Sequence, residues 1–316
     1  MIARIVVLLF IFFSTPLFAQ ESWKSFVAGL RTEAIAKGIR PEIFDEAFAN
    51  IKEPHLEVLH FDRTQPERRI TYIQYRNSRA SADRIVIGRQ EIKKHAELLH
   101  KIGDHYGVNY CFIASLWGLE TSYGRFMGKY SVIQSLATLA YDQRRGPIFR
   151  KELFYALEML NNGDVSPQDL KGEWAGATGQ PQFLPSTWHN YAVDYDGTGH
   201  KDIWRSKGDI FASIANYLSK LGWQSNQPWT MDVNLPADFN RDLLTLKTVK
   251  TVGEWEQLGV HFTQQETINP ELSASVIEPD GGPVMMVFNN FRVIMKWNHS
   301  TYYAGTVGYM AQKICE

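Results

Sequence analysis

The stretch YCFIASLWGLETSYG, residues 110–124, decides which fold this chain can adopt. As a helix it places Ile113, Leu116 and Trp117 on one apolar stripe, because they recur at i, i+3 and i+4. The next position of that stripe, i+7, is Glu120. A carboxylate therefore replaces a core residue at the end of a buried helix, and the closing glycine of the stretch is predicted to end that helix.

A carboxyl group in this position suits acid catalysis. Burial beside Trp117 disfavours the charged form, so the pKa of Glu120 is predicted to be raised. A neutral carboxyl group near pH 7 can protonate a leaving group. The alternative is a Glu at the rim of the helix, with its carboxylate satisfied by a Ser or Thr hydroxyl.

A second unusual stretch, residues 172–186, contains three glycines and two prolines. Trp174 and Phe183 lie within it, so it is predicted to be a structured loop and not a linker. Its glycines permit close backbone approach, and the Gln182 amide offers both a donor and an acceptor.

Composition sets wider limits on the function. The chain has 316 residues, which suggests about two domains, and 44% of them are hydrophobic, as in ordinary globular proteins. The formal net charge of −1 argues against a nucleic-acid partner, which would require an excess of Lys and Arg. The two cysteines, Cys111 and Cys315, allow one disulfide in an oxidising compartment, but the sequence does not say whether they meet.

The amino terminus resembles a secretory signal. Arg4 precedes nine apolar residues, 5–13, and the small residue Ala19 stands at the predicted cleavage point. The apolar run is shorter than the about 20 residues that span a bilayer. Residues 1–19 are therefore predicted to be removed. The mature protein is expected to be periplasmic and soluble with no stable membrane anchor, and an uncleaved anchor is the alternative.

Local patterns predict mainly helices. Two helices carry the apolar spacings of residues 22–30 and 43–48, and two or three more lie within 106–165. Capping residues predict three further helix starts. The first is Thr64-Gln65-Pro66-Glu67, and the helix that follows would carry Ile70, Ile73 and Tyr75. The others are Ser166-Pro167 and Ser206, the latter for a helix ending near Leu221. Strands are predicted at 245–252, 273–277 and 284–294, and a final helix from about Asn298.

Four ordered motifs resemble the lytic murein transglycosylase B family. They are Glu120-Thr-Ser-Tyr-Gly with the Gly-Lys-Tyr-Ser-Val-Ile-Gln-Ser-Leu-Ala that follows, Trp174-Ala-Gly-Ala-Thr-Gly-Gln-Pro-Gln-Phe-Leu-Pro-Ser, Ser213-Ile-Ala-Asn-Tyr-Leu, and Asn298-His-Ser-Thr-Tyr-Tyr-Ala. The likeness covers residues from about 25 to the end. It implies an α+β, mainly α fold in which a lysozyme-like catalytic core is flanked by an N-terminal helical domain and a small β-rich segment. The corresponding boundaries are 20–105 for the helical domain, 106–229 for the core, 230–290 for the β-rich segment and 291–316 for a C-terminal helix that returns to the core.

The resemblance also implies an activity, the cleavage of the β-1,4 bond between N-acetylmuramic acid and N-acetylglucosamine in peptidoglycan glycan strands. Glu120 matches the family's catalytic acid and base. The family's groove residues, which would bind the glycan, correspond to Gln182, Phe183 and Tyr217 of this chain, and less closely to Tyr75 and Tyr303. No cofactor is needed for this chemistry.

Two positions depart from the family pattern. Glu173 stands where the family often has Ser, which adds a charge near the site. Trp297 stands where some members have Tyr, which keeps an aromatic face but loses a hydroxyl group. Either change is expected to shift substrate preference or the pH optimum.

The mechanism that the resemblance implies uses one carboxyl group, whereas ordinary glycosidases use two. Glu120 would protonate the glycosidic oxygen and then accept the proton of the C6 hydroxyl, which attacks C1 and forms a 1,6-anhydromuramoyl end. The alternatives are a hydrolytic muramidase that uses water and a non-catalytic peptidoglycan-binding protein of the same fold. Neither a His-Glu-x-x-His zinc motif nor a Gly-x-Ser-x-Gly serine motif occurs.

An Asp-rich stretch resembles a calcium loop of the EF-hand type. Its predicted ligands are oxygens of Asp194, Asp196, Thr198 and His200, the last through its carbonyl group, with Asp209 closing a lengthened loop. Arg205 occupies the twelfth position, where such loops usually have Glu. Some members of the family bind calcium in a similar extended loop. The alternative is an Asx-rich turn that holds no metal.

Overall fold

A computed structural model describes residues 21–64, 70–142, 144–264 and 267–316. Helices dominate these residues, and fourteen α-helices occur in the described part of the chain. Their bounds are α1 Trp23–Ala36, α2 Pro41–Phe48, α3 Leu56–Arg63, α4 Tyr72–Arg79, α5 Ala82–Lys94, α6 Ala96–Tyr106, α7 Tyr110–Thr121, α8 Val132–Tyr141, α9 Gly146–Asn162, α10 Pro185–Tyr191, α11 Lys207–Lys220, α12 Val252–Gln257, α13 Asn289–Trp297 and α14 Thr301–Cys315.

Seven short strands within the same residues form two antiparallel sheets. The strands are β1 Tyr130–Ser131, β2 Lys171–Gly172, β3 Thr230–Asn234, β4 Lys250–Thr251, β5 His261–Phe262, β6 Ser273–Ile277 and β7 Met285–Val287. β1 pairs with β2, and the larger sheet has the order β4-β6-β7-β3-β5. In its centre Val287 lies between Thr230 on β3 and Ser275 on β6.

The mainly helical α+β class predicted from the sequence is confirmed. Two apolar cores hold the described residues together. The larger core extends from Phe26 in α1 to Ile314 in α14, so the N-terminal helices share it with the central ones. The smaller core, around Trp255 and Phe288, lies under the five-stranded sheet. The domain boundaries drawn from the sequence remain predictions.

Helix α7 is the central helix of the larger core. Its N-cap is Asn109, whose side chain accepts a hydrogen bond from the backbone N–H of Cys111. Nine of its twelve residues are buried, so it is apolar nearly all round and not only along one stripe. It ends at Thr121, three residues before the predicted glycine stop, because Ser122 and Tyr123 already adopt positive φ.

The first turn of the helix predicted to start at Thr64, residues 65–67, lies outside the described residues, and Thr64 itself follows the last residue of α3. In the described residues the next helix begins at Tyr72, where Thr71 and Gln74 form the capping box. Ile73 and Tyr75 lie in this helix and Ile70 does not, so a second capping signal further along the chain sets its start.

Three other local predictions need correction. Ser166 begins a turn and not a helix, because the chain must turn there for β2 to pair with β1. The predicted strand 245–252 is reduced to β4. The predicted strand 284–294 is β7 followed by helix α13, whose buried Asn290, Phe291 and Ile294 have helical spacing.

Other local predictions are confirmed. The sequence analysis placed the following elements correctly: α1, α2, α11, three helices within 106–165, strand β6 and the final helix α14.

Cys111 and Cys315 form a disulfide that joins α7 to α14. The two residues that the sequence left unpaired thus meet across the core. In the part of the chain that the structure describes, no helix has the length and apolar character needed to cross a membrane. The predicted signal segment, residues 1–19, lies outside the described residues.

Candidate active site

A cavity of about 360 Å³ lies at the C-terminal end of α7, where Glu120 is situated. The sequence-predicted residues Tyr75, Gln182 and Tyr303 line the cavity together with Glu120. The other lining residues are Arg79, Leu119, Glu173, Asn298 and Thr306. Helices α4, α7 and α14 and the glycine-rich loop therefore meet at one carboxyl group.

The Glu120 carboxyl group is held through a single oxygen. Its Oε1 accepts a hydrogen bond from the indole Nε1–H of Trp297 at 2.9 Å and a second from the hydroxyl group of Tyr303. Its partners are therefore aromatic, and not the Ser or Thr of the rim alternative. Burial raises the pKa of Glu120 to about 7, and the hydrogen bonds from Tyr303 and Trp297 oppose that rise because they stabilise the charged form. The rise predicted from the sequence is confirmed.

The two donors are fixed by different parts of the chain. Tyr303 lies in the first turn of α14, and its backbone N–H bonds to the side chain of the N-cap residue Ser300. Trp297 is the last residue of α13, and its ring packs against Phe183 and Tyr217 with centroid distances of 5.2 and 4.8 Å.

Phe183 and Tyr217 lie beneath the site. Their exposed fractions are only 2% and 8%, and neither is among the residues that line the cavity. The hydroxyl group of Tyr217 donates to the carbonyl of Lys296 at 2.7 Å. In this structure the two rings pack against Trp297, and their direct contact with glycan remains a prediction.

Gln182 has a strained backbone, with φ +53°, in a region that non-glycine residues rarely adopt. Its side-chain Nε2 donates to the carbonyl groups of Gly179 at 2.8 Å and Met127 at 3.2 Å. The amide is therefore held in one orientation, with its carbonyl oxygen as the remaining acceptor for a ligand.

Sequence reasoning missed Arg79 and Asn298. The Arg79 guanidinium lies 5.9 Å from the ring centroid of Tyr75, and its positive charge lowers the pKa of Glu120. Arg79 is four residues after Tyr75 on α4, a spacing that puts both on one face, so helical periodicity could have identified it. Asn298 begins the fourth family motif but was not among the predicted site residues.

Gln180 was also missed, and it joins the loop to helix α7. Its Oε1 accepts from Trp117 Nε1 at 2.7 Å and from Lys207 Nζ at 3.1 Å, and its Nε2 donates to the carbonyl of Trp204 at 2.7 Å. Its own carbonyl accepts from the Thr121 hydroxyl at 2.9 Å. The amide therefore fixes α7 one turn away from Glu120.

Glu173 adds a second carboxylate to the cavity wall. Glu173 is exposed, and its backbone N–H donates to the carbonyl of Ala177 at 2.8 Å within the loop. The departure noted in the sequence thus lies at the site itself.

The carboxylates of the Asp-rich loop are engaged by backbone N–H groups. In the described part of the chain no group of three His, Cys, Asp or Glu side chains is placed to hold a metal ion. The Asp194 carboxylate accepts from the N–H groups of Thr198 and Gly199, and the buried Asp209 carboxylate accepts from those of Tyr195, Asp196 and Asp202. The calcium site predicted from the sequence remains a prediction.

Comparison with known proteins places this geometry in context. The model of the transglycosylase SLT domain matches residues 22–312. The membrane-bound lytic murein transglycosylase B of Escherichia coli K12 is 31% identical over 252 residues, which cover 77% of this chain and 67% of that protein.

Solved structures give the same likeness. SltB3 of Pseudomonas aeruginosa, solved in complex with NAG-anhNAM-pentapeptide and with NAG-NAM-pentapeptide, has a TM-score of 0.90 and 39% identity, over 93% of this chain and 80% of that one. The E. coli lytic transglycosylase Slt35 in complex with calcium has a TM-score of 0.79 and 28% identity, over 92% of both chains.

Proposed function

The chain belongs to the transglycosylase SLT domain family, and we propose that Glu120 is the acid and base with which it cleaves peptidoglycan. The protein is a lytic transglycosylase whose substrate is the glycan strand. The related SltB3 was solved with both a NAG-NAM-pentapeptide and its anhydro form. We infer that strands bearing peptides are substrates of this chain as well.

The observation that carries the role of Glu120 is the state of its carboxyl group. A pKa of about 7 leaves a large share of the group protonated at neutral pH, so it can act as an acid. Both protein donors bond to Oε1, which leaves Oε2 as the oxygen that carries the proton. The same oxygen can take a proton back once the group is ionised.

The proposed reaction needs no second enzyme group. Glu120 donates its proton to the glycosidic oxygen, and the bond between that oxygen and C1 of the muramoyl sugar breaks. The 2-acetamido carbonyl of that sugar supports the positive charge at C1. Ionised Glu120 then accepts the proton of the C6 hydroxyl as its oxygen bonds to C1. The product is a 1,6-anhydromuramoyl end, and Glu120 is protonated again.

A hydrolytic muramidase is the second candidate, and Glu173 is the observation that favours it. Hydrolytic glycosidases place two carboxyl groups around the bond that is cleaved. Glu120 and Glu173 line the same cavity. In a hydrolytic reaction Glu173 would activate a water molecule, and the product would be a reducing end.

Mass spectrometry of digested peptidoglycan distinguishes the two reactions. We expect anhydro ends from the wild-type protein and from Glu173→Gln. We expect a loss of about 10²–10⁴-fold in the rate of Glu120→Gln, because a positioned acid and base contributes that much. Glu256→Gln, an exposed change on α12, is the matched control.

Two outcomes would contradict the proposal. Normal cleavage by Glu120→Gln would remove the assigned role of this residue. Reducing ends that disappear in Glu173→Gln would establish the hydrolytic reaction instead.

We propose that the protein is exported to the periplasm after removal of residues 1–19. The Cys111–Cys315 bond supports this proposal, since disulfides persist mainly in oxidising compartments. Amino-terminal sequencing of the protein from the periplasmic fraction tests it, with a mature chain starting near residue 20 as the expected result. A chain that retains residues 1–19 in the membrane fraction would support the anchor.

A structural calcium ion remains a separate proposal. The Slt35 complex supports it, whereas the hydrogen bonds of Asp194 and Asp209 in this chain do not, because an ion would have to compete with backbone N–H donors. If calcium binds the folded state, the melting temperature rises with its concentration. Asp194→Asn should abolish that rise. An unchanged melting temperature up to millimolar calcium would reject the site.

A further inference from the structure

A second cavity, of about 680 Å³, lies beside the catalytic one. Lys296 and His299 line it, whereas the intervening Trp297 and Asn298 belong to the catalytic site. Neighbouring residues of one segment of chain thus line the two cavities. Consecutive Cα atoms are about 3.8 Å apart, so a ligand group seated on His299 would be close to one seated on Asn298.

Arg292 is the residue that gives this cavity its chemistry. It lies on α13, is half-buried, and donates through Nη2 to the carbonyl of Leu246 at 2.8 Å and to the hydroxyl of Ser275 at 2.6 Å. These neutral acceptors orient the guanidinium without neutralising it. In the described residues no carboxylate lies within 4.0 Å of its nitrogens.

Burial of this unpaired cation has a cost. Burial lowers the pKa of Arg292, which is the sign of a charge that is poorly solvated in the free protein. A carboxylate that enters the cavity would restore the lost solvation and accept a hydrogen bond from Nη1 of the guanidinium. Both hydrogens of Nη2 are already donated to Leu246 and Ser275, so the new bond is a single charge-assisted one.

The surrounding charges favour the same ligand. Lys247, Lys296 and His299 line the cavity with Arg292. The acidic residue on its wall, Glu278, is already paired with Arg241. The cavity is therefore positive.

We propose that this cavity binds a carboxylate of the peptide attached to the muramoyl sugar, with Arg292 as its main partner. The inference rests on the proposed function, because it assigns a binding site to the peptide of that substrate. A pentapeptide reaches at most about 17 Å when extended. Such a peptide can enter a cavity that begins next to Asn298.

The test compares two substrates, glycan strands with their peptides and the same strands after the peptides are removed. We expect the ratio of kcat/KM for the two substrates to fall about tenfold in Arg292→Gln, the effect of one hydrogen bond between charged groups. Arg292→Lys should recover part of the ratio, since it keeps the positive charge and loses the Nη1 donor of the guanidinium. Lys220→Gln, an exposed change at the end of α11, should leave the ratio unchanged.

Arg292→Gln could also destabilise the fold, because Arg292 bonds to Leu246 and Ser275. A second variant that removes neither bond is therefore included. Lys247 is exposed, and Lys247→Gln should lower the same ratio by a smaller factor. An equal loss on both substrates in both variants would overturn the inference and leave Arg292 a structural role. Substrates amidated either at the peptide terminus or at its side-chain carboxylate identify which carboxylate binds.

Binding measurements separate this inference from the proposed function. The isolated muropeptide is titrated into Glu120→Gln and into Glu120→Gln with Arg292→Gln. Weaker binding to the second protein would support the peptide site even if the wild-type protein yielded no anhydro product. Equal binding to both proteins would overturn the peptide site.

Discussion

At the scale of single residues, the chemistry depends on how one carboxyl group is surrounded. Desolvation alone would keep Glu120 neutral and prevent it from acting as a base. The Trp297 and Tyr303 donors lower its pKa back towards neutrality, to about 7. An acid that must also act as a base works best with a pKa near the working pH. Trp297 supplies one of these donors through its indole N–H.

The pH dependence of Tyr303→Phe tests this balance. Loss of the hydroxyl removes a bond to the charged form, so the pKa of Glu120 should rise above about 7. The protonated acid exists below the pKa, so the alkaline limb of kcat/KM should move to higher pH, by about one pH unit for a bond of this kind. The measurement is kcat/KM from pH 5 to 10.

The matched control is Tyr302→Phe, which removes the hydroxyl of the preceding tyrosine on α14. Its alkaline limb should coincide with that of the wild-type protein. An alkaline limb of Tyr303→Phe that stays in place, or moves to lower pH, would show that Tyr303 does not control the pKa of Glu120.

At the scale of elements, close backbone contacts position the loop against the catalytic helix. Gly128 follows α7, and a Cβ at this position would lie 2.1 Å from the carbonyl of Gly172 on β2. The carbon and oxygen of that carbonyl are backbone atoms, so they cannot move aside as the end of a side chain would. The register between β1 and β2, and with it the start of the loop that carries Gln182, depends on this approach.

A comparison of Gly128→Ala with Gly38→Ala separates two costs to stability, that of an alanine at positive φ and that of the steric contact. The two glycines have nearly the same φ, +91° and +90°, but a Cβ at Gly38 meets nothing within 4 Å. Each alanine should cost about 1 kcal/mol of unfolding free energy for its conformation. Gly128→Ala should cost about 1–3 kcal/mol more and should also lower activity. Urea unfolding and an activity assay check both variants, and equal stability losses would argue against the contact.

At the scale of the whole molecule, the last helix closes the site. Helix α14 supplies Tyr303 at its start and is bonded at its end to α7 through Cys315 and Cys111. The disulfide joins residues 204 positions apart, so it encloses the loop, the sheet and most of the cavity in one covalent ring. The two helices that hold Glu120 and its donor are therefore tied together.

Removal of the disulfide should lower stability while the site still forms. The Cys111→Ser, Cys315→Ser double variant should lose about 2–5 kcal/mol of unfolding free energy. Thermal unfolding with and without a reductant checks this, since the reductant should lower the melting temperature of the wild-type protein only. An equal melting temperature for the oxidised wild-type protein and the double variant would show that the bond adds no stability.

Periodicity and composition by themselves determined the mainly helical class, the buried helix of residues 110–121, and an acid at its end. These features depend on residues within two or three turns of one another, and local spacing encodes them. The same local reasoning failed at residues 284–294. Their β-branched and aromatic side chains suit a strand, but packing against the larger core makes most of them helix α13.

Only the tertiary structure decided what surrounds Glu120. Its two donors come from 177 and 183 positions further along the chain, and Phe183 and Tyr217 prove to support Trp297 from below. Neither the Cys111–Cys315 pairing nor the unpaired charge of Arg292 has a local signal. The pKa of a carboxyl group and the partner of a cation depend on which groups share a small volume, and the packing of distant segments sets that volume.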